Sequence, residues 1–355
     1  MQGAKHTDPD RSPIFIVGCG RSGTTLLRQI LSSHPRIHLT HEAFFYAYEQ
    51  YTPKALSSRQ WLERYFDTFS FRWLGLKADE LREAVPEDLP RDQIHEVFRT
   101  IMKRCAARHG KVRYGEKSPL DSKNIERILK DFPDAKLLYI ARDPRAIVVS
   151  FTRMPWGSNS LLLSGIGCAG QHEAVAPHLN RIHTLTLEEL IADPESTLRG
   201  VLDHIGEPWD DAVLDHVANG PQDDVPPFPW FESATRRKLA APSGREPLWR
   251  KTLSPAWIRL LERRNADYMA YFGYEPARLE REPSAWARAG ALMGDLPAAL
   301  RIIGRRIRTM PLMWNFRSSE KRRTDPQLAL EAHLEVNPQA WEHYPEFSVP
   351  RVPDA

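Results

Sequence analysis

The chain has 355 residues, of which 27% are charged and 41% hydrophobic, and its formal net charge is +3. This length is enough for one large core with an appendage or for two modest domains. The small net charge excludes a general electrostatic case for nucleic-acid binding, so any basic surface must be local.

The N-terminal segment and the cysteines indicate the cellular compartment. Residues 1–12 read as a flexible tail without the apolar segment of a signal peptide, and no apolar run of about 18 residues follows anywhere. The three cysteines lie far apart and form no CxxC pair, which is typical of a reducing compartment and argues against a disulfide framework or a structural zinc site. We therefore expect a cytoplasmic protein without a metal.

The segment from Pro13 to Pro35 predicts a strand, a glycine-bearing loop and a helix in immediate succession. Ile14 to Val17 form the continuous apolar run of a strand that is buried on both faces of a parallel sheet. Gly18, Gly20 and Gly23 allow a tight turn, and the apolar residues that follow recur at helical spacing. The N–H groups at the start of that helix would point at an anion, as in phosphate-binding proteins.

The loop departs from the nucleoside-triphosphate pattern at one position. That pattern requires Lys followed by Ser or Thr after the second glycine, whereas Gly23 is followed by Thr24 and Thr25. Arg21 instead places a permanent cation inside the loop. The loop therefore favours a ligand with a 5′ group shorter than a triphosphate, handled without magnesium.

The rest of the chain to residue 206 alternates helical and strand patterns. Residues 55–110 read as mostly helical, Ser122 is expected to cap a helix, and Asp193 with Pro194 begins a helix that ends at Gly206. The YGEKSP segment at 114–119 reads as an interruption that ends in a turn. Three further segments have strand patterns: Arg36 to Thr40, Lys136 to Ala141 and, more weakly, Arg181 to Leu185. This alternation predicts an α/β, P-loop-like three-layer fold with a central, mainly parallel sheet.

A second group of candidate binding residues follows the strand at 136–141. Ligands of open parallel sheets bind beyond the carboxyl ends of the strands, which is where Arg142 lies. Pro144 opens a helix that carries Ser150 under two turns later, so its hydroxyl can join Arg142 at an anion. Taken alone, Arg142 and Asp143 would also fit a surface ion pair at a helix start.

Three segments together resemble the PAPS-dependent sulfotransferase family, in particular its bacterial and tyrosylprotein types. They are GCGRSGTTLL, YGEKSP and ARDPRAIVVSF, and the resemblance extends over residues 13–275. It implies that 3′-phosphoadenosine 5′-phosphosulfate (PAPS) is the co-substrate. It also implies that Arg142 and Ser150 hold the 3′-phosphate, while the loop residues Gly20, Arg21, Ser22, Gly23, Thr24 and Thr25 hold the 5′-phosphosulfate.

The resemblance also supplies candidate catalytic residues. Glu42 stands where related enzymes have the glutamate that deprotonates the acceptor, and an apolar pocket of Phe44 and Phe45 would raise its pKa. His41 is the rival base, because its ordinary pKa is closer to neutrality. Lys117, expected in a turn, would stabilise charge on the bridging oxygen. Glu116 would hold Lys117 by an ion pair or simply begin the turn.

Two later segments complete the expected site. At 243–251, Gly244, Arg245, Trp249 and Arg250 resemble the family's closure over the 3′-phosphate and adenine. The preceding DDVPPFPWF segment at 223–231 is expected to line the acceptor side, or to be only a surface connection.

Residues 276–355 form a helical, basic C-terminal extension. Leu296, Ala299, Leu300, Ile303, Ile307 and Met310 share one helical face, and arginines occupy the other face. This helix is expected to dock on the core of its own protein, to make peripheral membrane contact through residues 296–323, or to cover an acidic acceptor.

The sequence thus predicts a sulfotransferase that moves a sulfo group from PAPS to a hydroxyl, less readily an amine, of a small-molecule, carbohydrate, lipid or peptide acceptor. Two alternatives belong to other classes. A divergent P-loop kinase would bind ATP with magnesium, and a non-catalytic nucleotide-binding protein would have kept only the fold.

Overall fold

A computed structural model describes residues 12–52, 54–221, 228, 229, 231, 239, 246–313, 326–345 and 348–352. Its core is one five-stranded sheet, in which all strand pairs are parallel. The strands are β1 (Ile14–Val17), β2 (Ile37–Thr40), β3 (Arg113–Lys117), β4 (Lys136–Ala141) and β5 (Ile182–Thr186), in the spatial order β2-β3-β1-β4-β5. The α/β prediction with a mainly parallel sheet is confirmed.

Helices surround the sheet and continue to the C-terminal end. In chain order they are α1 (Thr24–Ser33), α2 (Phe45–Tyr51), α3 (Ser58–Phe66), α4 (Phe69–Arg72), α5 (Ala78–Ala84), α6 (His95–Arg108), α7 (Ile125–Asp131), α8 (Pro144–Phe151), α9 (Leu161–Val175), α10 (Leu187–Ala192), α11 (Pro194–Ile205), α12 (His216–Asn219), α13 (Leu248–Thr252), α14 (Pro255–Arg264), α15 (Ala266–Tyr271), α16 (Ala285–Met313) and α17 (Pro326–Leu334). None of the helices in the described part of the chain is both long enough and apolar enough to cross a bilayer.

Alternate residues of β1 face two separate hydrophobic cores. Phe15 and Val17 pack with the side chains of α2, α3 and α6 on one side of the sheet. Ile14 and Ile16 pack with the apolar faces of α1 and α11 on the other. Successive side chains of a strand point to opposite faces, and β1 is covered on both sides, which accounts for its continuous apolar run. This arrangement gives the three layers that the sequence predicted.

Strand β3 was not predicted from the sequence. The YGEKSP segment was interpreted as an interruption that ends in a turn, but Arg113 to Lys117 form a fully buried strand between β2 and β1. Three of its five residues are charged and less than 2% exposed, namely Arg113, Glu116 and Lys117. The segment therefore lacks the apolar run by which a buried strand is recognised in a sequence. Gly115 is required there because a Cβ atom would lie 1.8 Å from the carbonyl oxygen of Ile14. The turn assignment was therefore wrong for Lys117.

Two predicted helix starts agree with the structure, and a third does not. Asp143 caps α8 and Asp193 caps α11, in each case with proline at the first helical position. Gly206 ends α11 in the left-handed region with a φ of 76°. The prediction for Ser122 was wrong, because this residue lies in a 3₁₀ turn before α7. Its hydroxyl instead accepts a hydrogen bond from the backbone N–H of Gly18 at 3.2 Å.

The C-terminal extension packs on the rest of the protein, but not through the face that the sequence suggested. Ala299 is buried, whereas Leu296, Leu300, Ile303 and Ile307 are exposed. Farther along, Leu330 and Leu334 of α17 are buried against Met154 and Phe228. Residues 314–325, which include part of the expected membrane segment, lie outside the described residues.

Candidate functional site

Residues 18–23, called the phosphate loop below, turn sharply between β1 and α1. Gly18 and Gly23 have φ values of 147° and 105°, which favour glycine. Space is also restricted, because a Cβ atom on Gly18 would lie 2.4 Å from the carbonyl oxygen of Ile140. Arg21, with a φ of 71°, is held in a region that non-glycine residues rarely adopt. The backbone of this loop is therefore tightly constrained by the neighbouring strand β4.

The loop leaves the start of α1 open to an anion. Gly23 precedes the helix, and no described side chain caps its first turn. The first turn also contains no acidic residue. Ser22 is turned away from the helix end, since its hydroxyl donates to the carbonyl oxygen of Ile140 at 2.9 Å. The free N–H groups and the positive end of the helix dipole are therefore available to an anion beside Thr24 and Thr25, the first two residues of the helix.

The structure brings Arg142 and Ser150 together with the phosphate loop. The Nε atom of Arg21 donates to the hydroxyl of Ser150 at 3.1 Å. The Nη1 atom of Arg142 donates to the backbone carbonyl of Arg21 at 3.1 Å. Tyr268 fixes the backbone of Arg142 by two hydrogen bonds of 2.9 and 2.8 Å. Two guanidinium groups from different strand ends are thus held beside one another.

The electrostatics of this pair favour a bound anion. Removal from water lowers the pKa of Arg21 to about 10, and the nearby charge of Arg142 acts in the same direction. Both effects penalise the charged form of the guanidinium, although it still carries its proton at neutral pH. A phosphate at this position would offset both penalties and accept charge-assisted hydrogen bonds.

Lys117 and Glu42 form an ion pair at the carboxyl ends of β3 and β2. The distance between Lys117 Nζ and Glu42 Oε1 is 2.5 Å. Lys117 is fully buried, and this burial lowers the pKa of its ammonium group, while Glu42 acts to raise it. The Glu42 side chain keeps 27% exposure and lines the cavity described below. A buried cation and a reachable carboxylate therefore lie side by side, next to the strand that leads into the phosphate loop.

His41 lies close to this pair but in a different environment. It is 7% exposed, and neither ring nitrogen has a hydrogen-bond partner among the described residues. Burial lowers its pKa well below the ordinary value, and the charges of Arg28 and Lys117 lower it further. The imidazole is therefore neutral and a weak base near neutral pH. Phe45 lies in the hydrophobic core and not beside Glu42, so only Phe44 of the expected apolar pocket reaches the cavity.

Glu116 does not hold Lys117, because neighbouring residues of β3 point to opposite faces of the sheet. Its carboxyl group is fully buried near that of Asp121. Burial raises the pKa of both groups, for Asp121 to about 7, and their mutual proximity couples the two titrations. Sequence reasoning missed this acid pair, because Asp121 lies beyond the strand and no local pattern connects it to Glu116.

A cavity of about 510 Å³ opens between the phosphate loop and Glu42. Its lining includes Gly20, Arg21, Thr24 and Thr25 on one side and His41 and Glu42 on another. The remainder of the lining is mixed, and we call one connected group of its rings the aromatic wall: Phe69, Trp73, Phe151, Trp156, Phe228, Phe231 and His333. Phe228 and Phe231 belong to the DDVPPFPWF segment, which therefore does reach the cavity.

The aromatic wall is continuous from the lysine to the loop. The Phe231 ring lies 5.3 Å from Lys117 Nζ and 4.9 Å from the His41 ring. Neighbouring rings then follow at centroid distances of 5.2 to 6.3 Å, through Phe228, Trp73, Phe69, His333 and Trp156 to Phe151. At Gly20, a Cβ atom would lie 3.0 Å from the ring of Phe151. A planar apolar group would find ring contacts along the whole path.

The C-terminal extension contributes directly to this cavity. Leu330, His333 and Leu334 of α17 are part of its lining. Asn337 secures the segment, because its side-chain amide donates to the carbonyl oxygens of Thr152 and Met154. Its backbone N–H also donates to Pro155. The sequence analysis did not predict that this segment would line the cavity.

The segment at 243–251 contributes less than the resemblance implied. Gly244 and Arg245 lie outside the described residues. Trp249 is buried with Val148 and Val149, and its ring contacts the guanidinium groups of Arg145 and Arg250 at 4.1 and 4.6 Å. Neither Trp249 nor Arg250 lines the cavity. The ring is thus a core residue in this structure, and its stacking on adenine stays a prediction.

The comparison that decides the family is a family model. The model described as "Sulfotransferase family" matches residues 13–211, which contain the phosphate loop, β3 and Arg142. This chain belongs to the sulfotransferase family. The family match thus covers all five strands of the sheet, the phosphate loop and the Lys117–Glu42 pair. The described residues discussed above that lie beyond it are Phe228, Phe231, Trp249, Arg250, Tyr268 and those of the C-terminal extension.

Individual sulfotransferases extend the comparison. The chain is 26% identical over 221 residues to a protein-tyrosine sulfotransferase of Drosophila melanogaster, covering 57% of this chain and 40% of the relative. It is 27% identical over 223 residues to protein-tyrosine sulfotransferase 1 of Danio rerio, covering 58% and 56%. The chain therefore spans about half the length of the curated relatives it matches.

A solved structure agrees in fold. The sulfotransferase domain of the Synechococcus PCC 7002 olefin synthase superposes with a TM-score of 0.50 at 20% identity. The superposition covers 74% of this chain and 96% of that domain. In the described part of this sulfotransferase, no group of three His, Cys, Asp or Glu side chains is arranged to hold a metal ion.

Proposed function

We propose that the protein transfers a sulfo group from PAPS to a hydroxyl group of an acceptor with an apolar body. The observation that carries this proposal is the Lys117–Glu42 pair beside the phosphate loop, in which Glu42 lines the cavity and Lys117 is fully buried against it. Sulfuryl transfer needs a proton acceptor on one side of the sulfur and a cation at the leaving oxygen on the other. The pair supplies both groups.

The residues fit PAPS at two anion positions. The phosphate loop and the start of α1 would hold the 5′-phosphosulfate, with Gly20, Arg21, Ser22, Gly23, Thr24 and Thr25 around it. Arg142 and Ser150 would hold the 3′-phosphate on the other side of Arg21. PAPS supplies the activated sulfo group and a phosphate leaving group.

Glu42 would take the proton from the acceptor hydroxyl as its oxygen forms a bond to sulfur. Lys117 would stabilise negative charge on the bridging oxygen as its bond to sulfur breaks. The products are a sulfate ester, adenosine 3′,5′-bisphosphate and the proton on Glu42. His41 is disfavoured as the base because burial lowers its pKa.

The aromatic wall supports an apolar acceptor body. The relatives are named protein-tyrosine sulfotransferases, so a phenolic hydroxyl is also compatible with the wall. The rings would contact the flat body of a phenol or a comparable apolar alcohol, and Glu42 would meet its hydroxyl. The proposal places the reaction in the cytoplasm, where the sequence suggested that the cysteines stay reduced.

The donor is tested by thermal shift with adenosine 3′,5′-bisphosphate and, separately, with ATP and magnesium. We expect stabilisation by the bisphosphate, and Arg142→Ala should weaken its affinity about 10- to 100-fold, as the loss of charge-assisted hydrogen bonds predicts. Arg199→Ala, at an exposed arginine paired with Glu195, is the control. Stabilisation by ATP with magnesium alone would support the kinase alternative. Bisphosphate binding without transfer to any acceptor would support the non-catalytic one.

The acceptor is tested with ³⁵S-labelled PAPS and two hydroxyl compounds, 2-naphthol and an acidic tyrosine peptide. We expect faster transfer to 2-naphthol. Preference for the peptide would overturn the acceptor class but not the sulfo transfer. Incubation with an extract of the source cells, followed by mass analysis of the labelled product, would then identify the natural acceptor.

A further inference from the structure

Helix α16 carries a row of large apolar side chains on the outside of the molecule. The row comprises six residues with exposed fractions between 43 and 87%: Trp286, Met293, Leu296, Leu300, Ile303 and Ile307. They follow at intervals of three, four and seven residues, which places them on one face of the helix. We call these six residues the outer ridge. At 1.5 Å per residue, the ridge is about 30 Å long.

The opposite face of α16 is fixed to the protein by a buried carboxylate. Asp295 accepts hydrogen bonds from the backbone N–H groups of Leu161 at 2.9 Å and Leu162 at 3.3 Å, and from the Ser160 hydroxyl, at the start of α9. Ala299 and Ile302 of the same face are buried. A rotation that buried the outer ridge would break these bonds and leave a charge unsatisfied. The outward orientation of the ridge is therefore set by the fold.

The chain around the outer ridge is strongly basic. Residues 296–319 contain no acidic residue and five arginines: Arg301, Arg305, Arg306, Arg308 and Arg317. Arg301 is exposed next to Leu300, whereas Arg305 pairs with Glu335. A second copy of the helix packed alongside in the same direction would bring like charges together. An anionic lipid surface supplies opposite charge and an apolar layer at the same place.

We propose that the outer ridge binds the surface of an anionic membrane. Helix α16 would lie in the plane of the interface, with the six ridge side chains among the headgroups and acyl chains and Arg301 at the level of the lipid phosphates. The apolar stripe exceeds what scattered surface residues provide, which is typical of an interaction surface. This interaction does not depend on the proposed reaction, so it is tested without measuring transfer.

The test is vesicle flotation of the whole chain with phosphatidylcholine alone or with about one-third phosphatidylserine. We expect the bound fraction on the anionic vesicles to be at least about tenfold higher. Leu300→Gln with Ile307→Gln should reduce binding to anionic vesicles about tenfold or more, because two inserted side chains are lost. Arg301→Gln should reduce it about fivefold at low salt and less at high salt.

The matched control is Val112→Gln with Leu214→Gln. These two exposed apolar residues lie outside α16 and should leave vesicle binding unchanged. Thermal melts check that each variant folds, and sedimentation equilibrium gives the oligomeric state. Failure of the unaltered chain to bind anionic vesicles, or equal loss in the control, would overturn the proposal. A second result would also overturn it: the unaltered chain does not bind vesicles but forms a dimer, and the Leu300 and Ile307 changes dissociate that dimer. The outer ridge would then bind a second copy of the chain.

Discussion

The phosphate loop comes from one continuous stretch of chain, whereas the aromatic wall on the far side of the same cavity draws on several distant segments. The loop is held by backbone geometry, with Gly18 pressed against β4. The wall consists of side chains near residues 70, 155, 230 and 333 that meet only in the folded protein. The phosphate loop thus depends on local sequence, whereas the aromatic wall depends on the assembly of remote parts of the chain.

Glu42 stands where these two regions meet, so its replacement should have the largest effect. We expect Glu42→Gln to lower kcat about 10²- to 10⁴-fold, because the acceptor proton loses its base. The affinity for adenosine 3′,5′-bisphosphate should stay unchanged. Rapid-quench assays with labelled PAPS, together with thermal shifts, measure both quantities.

His41→Ala is the matched variant for Glu42→Gln. It should retain most of the activity, because the buried imidazole is a weak base at neutral pH. If His41→Ala is inactive while it still binds the bisphosphate and Glu42→Gln remains active, the assignment of the base is wrong.

A change in the aromatic wall should weaken binding of the acceptor without affecting binding of the donor. We expect Trp73→Ala to raise the KM for 2-naphthol about tenfold, because the acceptor loses one of its ring contacts. The KM for PAPS should change by less than about twofold, since the phosphate loop is untouched. Steady-state kinetics with each substrate varied in turn provide the measurement.

Trp286→Ala is the control for Trp73→Ala, because it removes an exposed ring at the start of α16 that does not line the cavity. Equal effects of Trp73→Ala on both KM values would contradict the separation between the two regions. Such a result would show that the wall also positions the donor.

The smallest expected effect concerns the buried acid pair behind β3. Burial raises the pKa of Asp121 to about 7, above that of an exposed aspartate. The folded state therefore holds a proton that the unfolded state releases, and the unaltered protein loses stability between about pH 4 and pH 7. Asp121→Asn should escape this loss. Relative to the unaltered protein, it should gain about 1 to 3 kcal/mol of unfolding free energy between pH 5 and pH 8.

Urea unfolding at the two pH values measures this gain, and Asp134→Asn at an exposed position is the control. A difference between Asp121→Asn and the unaltered chain that is the same at pH 5 and pH 8 would show that the carboxyl group titrates normally.

Much of the fold was predictable because its signals are local. Apolar runs identified β1, β2, β4 and β5, and Asp–Pro pairs located the starts of α8 and α11. Strand β3 was read as an interruption because buried Glu116 and Lys117 resemble the residues of an exposed turn. Their burial depends on Glu42 and Asp121, which no local pattern connects to them.

The orientation of α16 also depends on a contact with a distant segment, which the local sequence pattern does not reveal. The helical spacing of its apolar residues was correct, but the sequence does not state which face meets the protein. Asp295 decides it by capping α9, at a separation of about 130 residues along the chain. The apolar face was expected to meet the protein, but Leu296, Leu300, Ile303 and Ile307 of that face are exposed.

The sequence by itself determined the sulfotransferase fold and the phosphate loop, because glycines, a buried strand and an adjoining helix act within some twenty residues. Only the tertiary structure decided that Lys117 lies against Glu42, that the C-terminal extension lines the cavity, and that the outer ridge faces outward. The physical reason is that these features arise from contacts between side chains of distant segments. Such contacts depend on which segments pack together, and the residue types alone do not specify this.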